Sequence, residues 1–356
     1  MVQLLFTYLG EGDFMEGKCG IVGYGVYIPR FRIKSEEYVK AWGIFAAPGV
    51  KEKAVAGFDE DPITMAIEAS MNAINYAGID ATDINCVYFA SSHPPYAEKL
   101  MSSTISTAIG APSNIATSDF TSSTKAGTAA MLAALDFVAS GRGDFALVVA
   151  ADSPYADFKD FIEHRLGSGA VAFIIGKEDL IAFIEGIHSV SMEFFGERFR
   201  KSGEKFLRDL AIRSYAKYAL NKIYITCVSE LFRKVNRKPD DYKYAVFQQF
   251  DGRTPLEVAL RLGFKPEQVT PTLLCTKIGD TGSASCLISL ASILDAVNPN
   301  ERILVASYGA GAGSDALSIV VTENIKKKKD FLTVGDYLED KEYVDYLTYL
   351  KFKRGI

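Results

Sequence analysis

The feature that most constrains this chain is a grammar of apolar strand, polar or glycine-rich turn and small-residue helix that occurs in both halves. In the first half, residues 84–90 (Ile-Asn-Cys-Val-Tyr-Phe-Ala) read as a buried strand running into the polar loop 91–95. The turn at 119–124 (Asp-Phe-Thr-Ser-Ser-Thr) then opens a helix over 125–138. In the second half, a strand over 244–249 enters another polar loop, and the glycine-rich turn 277–285 opens a helix to Val297. Strands alternating with helices in this way predict an α/β chain with mixed, largely buried sheets. The likeness between the halves is one of pattern, which suggests an internal duplication without a residue-by-residue match.

The other elements fill in that plan. Residues 18–29 form an apolar strand bent by glycines before Pro29, and 33–42 carry a short helix signal. Asp61-Pro62 opens a stronger helix over 63–77, with proline at the favoured first position and Gly78 at the end. A helix is expected over 101–109, and residues 108–117 read as a loop with a short apolar approach to the 119–124 turn. Strands are expected over 144–152 and 170–176, with 181–189 as the hairpin partner of the latter. Residues 190–235 are aromatic and basic, with a long helix from about 206 to 235; a further helix covers 255–262. A strand over 302–307 ends in Tyr308-Gly-Ala-Gly-Ala-Gly-Ser-Asp315, and a last strand covers 316–321. The expected organisation is an N-terminal extension (1–17), an N-terminal half (18–189), a helical connection (190–243) and a C-terminal half with its tail (244–356).

Composition narrows the function classes. A chain of 356 residues exceeds one ordinary core and suggests two units. Hydrophobic content of 48%, charged content of 23% and a net charge of −5 describe a globular protein with no basic surplus for nucleic acid. The basic run 326–329 reads as a solvated tail or helix start. No stretch reaches the roughly 18–20 apolar residues of a membrane span. Residues 1–17 lack the charged start and long apolar core of a secretory signal, so the expectation is a cytoplasmic protein whose extension is either ordered on the surface or a product of start-codon choice. Five scattered cysteines without CxxC spacing and three histidines form no metal set; the thiols are expected reduced and mostly buried.

Several positions carry candidate chemistry. Residues 121–124 sit where a loop becomes a helix, and a helix N-terminus offers free amides and partial positive charge that suit a nucleophile and a developing oxyanion. The residue there is Thr124, beside Ser123. A threonine hydroxyl is a weak nucleophile without a base, and the same residue type is a common helix cap. Asp280 in Gly279-Asp-Thr-Gly282 either caps a helix start or acts on a ligand. Gln248 and Gln249 end a strand and face a loop as hydrogen-bonding side chains. His93 lies between serine and proline, available as acid or base but with no neighbouring carboxylate in the sequence to orient it. Glu163 is expected as an exposed or interface charge. Gly309, Ala310 and Gly311 belong to a glycine run that is no dinucleotide fingerprint, because a strand follows it; its glycines permit close approach to a ligand or another turn.

Residues 20–30, Asp59-Glu-Asp61, Lys125-Ala-Gly-Thr128, 169–178, 244–247, Ile278-Gly279 and 309–316 together resemble the archaeal type of hydroxymethylglutaryl-CoA synthase, from about Lys18 to Val321. The resemblance implies a thiolase-like fold of two duplicated α/β halves in five αβαβα layers, usually dimeric. It also implies a reaction using an acetylated cysteine, a glutamate as acid and base, and a histidine backed by an asparagine. Here Thr124 stands at the cysteine, Ser92 at the glutamate, Gln248 at the histidine and Asp280 at the asparagine, while Ala310 replaces a serine of the Gly-Ser-Gly loop. Groups that act as a unit leave little behind when removed together.

The expectation is a divergent, catalytically degenerate paralogue that binds acyl-CoA or serves as a scaffold subunit, with no cofactor beyond a possible CoA or acyl-CoA ligand. The partners implied by the resemblance are a second copy or another thiolase-fold protein, and a zinc-ribbon/OB-fold protein. An alternative is an acyltransferase or condensing enzyme with a rebuilt site. In it Thr124 or Ser123 accepts the acyl group, Asp280 or His93 serves as base, and backbone amides at 124 and 309–311 form the oxyanion hole. A third reading is a scaffold whose tunnel is plugged by Phe250.

Overall fold

The computed structural model describes residues 19–194, 198–210, 213–327 and 331–354; the expected N-terminal extension and the end of the basic run lie outside them. In chain order the elements are β1 (Gly20–Tyr27), β2 (Phe31–Lys34), α1 (Ser35–Trp42), β3 (Glu52–Val55), α2 (Pro62–Ala77), β4 (Ile84–Ser91), α3 (Met101–Ala108), β5 (Ala116–Thr121), α4 (Ala126–Ala139), β6 (Phe145–Asp152), β7 (Gly169–Gly176) and β8 (Ala182–Val190). There follow α5 (Arg213–Val235), β9 (Tyr244–Phe247), α6 (Thr254–Arg261), and the one-turn helices α7 (Pro266–Val269) and α8 (Cys275–Ile278). The chain continues with α9 (Ser285–Leu294), β10 (Arg302–Ala306), β11 (Ser314–Val321), α10 (Val334–Glu339), β12 (Glu342–Tyr343) and α11 (Tyr346–Arg354).

The duplication is written in the strand order, β5-β4-β6-β7-β1-β8-β11-β10-β9. On one side β4 runs parallel to β6, which is antiparallel to β7, which is antiparallel to β1. On the other, β9 runs parallel to β10, which is antiparallel to β11, which is antiparallel to β8. These two halves of the nine-stranded sheet are joined, among the described residues, through the pairs Gly20↔Phe183 and Ile21↔Ala182. Helices α4 and α9 fill the space between them in one shared core, α2 and α3 cover the outer face of the first sheet, and α5 to α7 cover that of the second. These are the five expected layers. Both faces of each sheet are covered, which is why strands such as β7 and β11 are buried at every residue and show no alternation.

Local chemistry explains the close packing. Asp61 caps α2 by accepting from the amides of Ile63 and Thr64, both at 2.8 Å, with Pro62 opening the helix and Gly78 (φ 70°) closing it. The helix then lies directly on β1: a Cβ on Gly25 would fall 2.4 Å from the Ala73 amide nitrogen and 2.5 Å from the Ala69 carbonyl oxygen. A small three-stranded sheet, β12-β2-β3, forms a satellite beneath α1 and α11.

Several expectations are corrected. Segment 181–189 is not a hairpin partner of β7, because both edges of β7 are taken by β6 and β1; β8 pairs along its length with β11 and belongs to the second sheet. The helix expected from 206 is described over Arg213–Val235, and Leu207 and Arg208 instead make single bridges to Ala156 and Phe199. The helix expected from 33 begins at Ser35, since 31–34 pair with β3. Part of the expected 108–117 loop is the start of strand β5, which pairs with β4. Glu163 is buried, not exposed: its carboxylate accepts from Lys53 Nζ at 2.9 Å, from Tyr38 at 3.3 Å and from Tyr349 of the C-terminal helix α11. The same helix buries Lys353, whose ammonium is lowered to about 7, first by burial and then by Lys53.

Gly25→Val is expected to destabilise the protein by about 3 kcal/mol or more, since backbone rather than a side chain must give way. A thermal melt no lower than that of the unaltered chain would show that α2 can move off β1.

Candidate functional site

Four chain segments end at one place because parallel strands place their carboxyl ends together, the usual location of a ligand crevice in open α/β sheets. Ser91 ends β4 and Ser92 follows it, residues 122–124 follow β5, Asp152 ends β6 and Gln248 follows β9. The turn 282–284 from the second half closes over them.

Asp152 is the hub. Its fully buried carboxylate accepts from Ser91 Oγ (2.7 Å), Ser92 N (3.0 Å), Ser92 Oγ (2.9 Å), His93 N (2.8 Å), Ser283 N (2.6 Å) and Ser283 Oγ (2.7 Å). Gly282 must be glycine here: its φ is 60°, and a Cβ would lie 2.3 Å from Asp152 Oδ2 and 2.8 Å from Ser92 Oγ.

Ser92 passes the network on. Arg198 Nη2 donates to Ser92 Oγ at 3.3 Å while Nη1 pairs with Asp280 Oδ2 at 3.1 Å. Asp280 Oδ1 accepts from the Gly282 amide at 3.0 Å, and Gln248 Nε2 donates to the Gly282 carbonyl at 2.7 Å. A carbonyl can only accept, so the Gln248 amide orientation is determined, and Oε1 is left buried without a hydrogen-bond partner among the described residues. Ser92, Asp280 and Gln248 are therefore brought together around Gly282, with Arg198 between the first two.

Thr124 is buried two residues before α4, and its hydroxyl donates to the Tyr308 carbonyl at 2.7 Å. Ser123 Oγ accepts the Lys125 amide at 3.3 Å, and Gly309 lies so close that a Cβ there would meet Ser123 Oγ at 2.0 Å. Gly311 (φ 65°) makes room for Glu193 in the same way. His93 is buried with Nδ1 lacking a partner among the described residues. Burial, then the Arg200 charge, lowers its pKa to about 4 against the opposing pull of Asp152.

A cleft of about 1350 Å³ opens onto this region; Ser92, Ser123, Thr124, Arg198, Ala310 and Gly311 line it, while His93, Gln248, Asp280, Gly309 and Phe250 do not. Phe250 stacks edge-on against Tyr308 at 5.6 Å instead of crossing the cleft. No cysteine lines it, and burial raises all five thiols, Cys86 and Cys227 to about 11. Among the described residues no His, Cys, Asp and Glu side chains converge into a metal site, and no helix is long and apolar enough to cross a membrane.

Two residues escaped the sequence. Arg198 sits in an aromatic, basic stretch with no periodicity to single it out, 82 residues from Asp280 in the chain. Asp152 did leave a signal, a charge ending the otherwise apolar run Phe-Ala-Leu-Val-Val-Ala-Ala, although its partners could not be read from it.

Residues 232–321, which hold β9 to β11 and α9, match the C-terminal family of 3-oxoacyl-[acyl-carrier-protein] synthase III. Hydroxymethylglutaryl-CoA synthase of Methanopyrus kandleri is 39% identical over 345 residues, covering 95% of this chain and 98% of its own. That of Thermococcus gammatolerans is 40% identical over 344 residues, covering 94% and 96%. The chain belongs to the hydroxymethylglutaryl-CoA synthase family. Among solved structures, MvaS in complex with 3-hydroxy-3-methylglutaryl coenzyme A superposes with a TM-score of 0.81 at 20% identity, covering 96% of this chain and 92% of that one. The 3-oxoacyl-[acyl-carrier-protein] synthase III of Aquifex aeolicus gives 0.76 at 20% identity, covering 85% and 99%. At such identities these two establish the shared thiolase-like fold, in which this hydroxymethylglutaryl-CoA synthase family member sets Arg198 between Ser92 and Asp280.

Two outcomes follow from the geometry. A thiol introduced as Thr124→Cys, lining the cleft at a helix start, should react with iodoacetamide at least about tenfold faster than any of the five native thiols; equal rates would mean that position 124 is closed to the cleft. His93 is held neutral with a folded pKa below its unfolded value of 6.5, so its stabilisation is complete above that value and is lost as pH falls toward 4. The loss should reach about 3 kcal/mol, and His93→Gln should flatten that part of the stability curve measured by denaturant titration.

Proposed function

We propose that this family member binds an acyl-CoA in the cleft without taking up the acyl group covalently. Thr124, Ser92, Gln248 and Asp280 occupy the positions where the family's cysteine, glutamate, histidine and asparagine are expected. Acyl transfer to Thr124 needs a base to remove the hydroxyl proton. That proton is directed at the Tyr308 carbonyl, and this contact is the observation that carries the reading. The nearby carboxylates are engaged elsewhere: Asp152 by its six donors and Asp280 by Arg198 and the Gly282 amide. Ser92 offers no acid or base where enolisation of an acetyl group would call for one.

Two features support retained binding. The cleft reaches Thr124 without Phe250 across it, which speaks against a plugged scaffold. Lys99, Arg200, Lys201 and Lys205 line it and form no ion pairs among the described residues, leaving cationic side chains for the phosphates of a CoA. Solved relatives of the same fold are described in complex with 3-hydroxy-3-methylglutaryl coenzyme A and with CoA.

Incubation with acetyl-CoA is expected to leave the intact protein mass unchanged, while calorimetric titration shows CoA binding with a dissociation constant in the range of about 1–100 μM, roughly −8 to −5.5 kcal/mol. An acetyl adduct on Thr124 or Ser123 would overturn the non-covalent assignment, and absence of heat at millimolar CoA would overturn binding.

A further inference from the structure

We infer that the C-terminal helix α11 is a latch on the cleft, held while the Lys353 amine is neutral and released when that amine takes up a proton. Such a latch acts from behind the site and operates whichever ligand the cleft holds.

Helix α11 lies outside the core shared by the two halves and packs with Ile33, Tyr38, Val55 and Phe158 in a small cluster of its own. Its Tyr349 and Lys353 are one turn apart on the same face and are 0% and 6% exposed. The Tyr349 hydroxyl donates to the Glu163 carboxylate, while Lys353 Nζ donates to the Pro154 carbonyl at 3.2 Å and to Ser153 Oγ at 3.4 Å. Both Lys353 acceptors are neutral, and both contacts are long. A helix fastened by buried polar groups docks only as well as those groups are matched.

The mismatch is one of charge. Two buried lysines, Lys53 from β3 and Lys353 from α11, share the pull of the Glu163 carboxylate. That carboxylate is already taken: Lys53 Nζ sits 2.9 Å from Oε1, and Tyr38 from α1 and Tyr349 donate to the same oxygen. Asp152, one residue before Ser153, is occupied by its six donors. Tyr155, in the loop after β6, offers its ring to the Lys353 ammonium at 4.8 Å, a cation–π attraction without a counter-charge. The same ring has Lys205 at 5.8 Å and the neutral His93 ring, from the turn after β4, at 5.8 Å. A proton on Lys353 therefore adds a second buried cation that no carboxylate neutralises, which is costly. Burial, then Lys53, lowers the Lys353 ammonium from 10.5 to about 7, against the opposing pull of Glu163. Docking is thus strongest above 10.5, weakens as pH falls toward 7 and levels off below it.

Release of α11 reaches the cleft by two short paths. Ser153, which accepts from Lys353, directly follows Asp152, and its hydroxyl bonds to that of Ser168 at 2.9 Å. The Gly167 amide, one residue earlier, donates to the Asp280 carbonyl at 2.9 Å, and a Cβ on Gly279 would lie 2.9 Å from Lys53 Cβ. Asp152 holds Ser92 and Ser283, and Asp280 holds Arg198. The cleft wall at Ser92 and Arg198 therefore loses its backing when α11 leaves.

Hydrogen exchange on the full chain, read by mass spectrometry and corrected for the intrinsic pH dependence of amide exchange, tests the latch. Relative to α2, protection of residues 349–354 should fall at least about tenfold as pH falls from about 8.5 to about 6.5, and protection of residues 280–285 should fall with it. Lys353→Met, which has no group to titrate, should keep α11 protected across that range. Protection of α11 that ignores pH overturns the inference, as does an unchanged pH dependence in Lys353→Met. Loss confined to α11, with 280–285 unaffected, overturns its action on the cleft and with it the latch. A fall that begins only below 6.5 belongs to His164 or His93, both held below that value first by burial, and overturns the assignment to Lys353. The profile of the unaltered chain decides the matter even if the methionine variant does not fold.

Discussion

The site depends on a single buried carboxylate. Asp152 gathers four donors from residues 91–93 of the first half and two from Ser283 of the second, so one side chain ties the end of β4 to the turn that precedes α9. An isolated carboxylate would be very costly so deep in the protein, and these six donors are what make its burial tolerable. Its consequence is positional. Ser92 is fixed by both its amide and its hydroxyl, Gly282 is held so close that only glycine fits, and Arg198 can then span from Ser92 to Asp280.

Behind this lies a second buried charge system with a supporting role. Lys53 and Glu163 pair at 2.9 Å, and Lys53 Nζ also donates to the Glu163 carbonyl at 2.7 Å and to Tyr349 at 3.2 Å. Burial lowers the Lys53 ammonium, with Glu163 pulling the other way. The system abuts the Asp280 turn: a Cβ on Gly279 would lie 2.9 Å from Lys53 Cβ, the Asp280 amide donates to the Arg165 carbonyl at 2.6 Å, and the Gly167 amide donates to the Asp280 carbonyl at 2.9 Å. The C-terminal helix thereby contributes to the site at a distance, since its Tyr349 completes the pocket around Glu163. Membership of the hydroxymethylglutaryl-CoA synthase family accounts for the fold; beside the cleft, Arg198 bridges Ser92 and Asp280.

The layered fold was legible because burial on both faces of a sheet leaves a mark in local sequence, in runs such as Ala170 to Ile175 and Leu304 to Ala306. The capped start of α2 was legible for a similar reason, since Asp61, Pro62 and Gly78 act through their own backbone neighbours. The strand at 182–190 was recognised but given the wrong neighbour, because an apolar strand does not record which edge remains open to it. Likewise a sequence can place Glu163 near a turn but cannot show that Lys53, Tyr38 and Tyr349 converge on it from segments 110, 125 and 186 residues away.

By itself the sequence determined the alternation of strands and helices, the duplication, the family and the identity of the side chains at 92, 124, 248 and 280, because these are properties of local pattern and residue type. Only the tertiary structure decided that the Thr124 proton faces a carbonyl, that Asp280 is shielded from the cleft by Arg198, and that Asp152 holds both halves at the site. Hydrogen bonds and ion pairs act over about 3 Å in space regardless of separation along the chain, so the charge a cleft presents follows from packing and not from the order of residues.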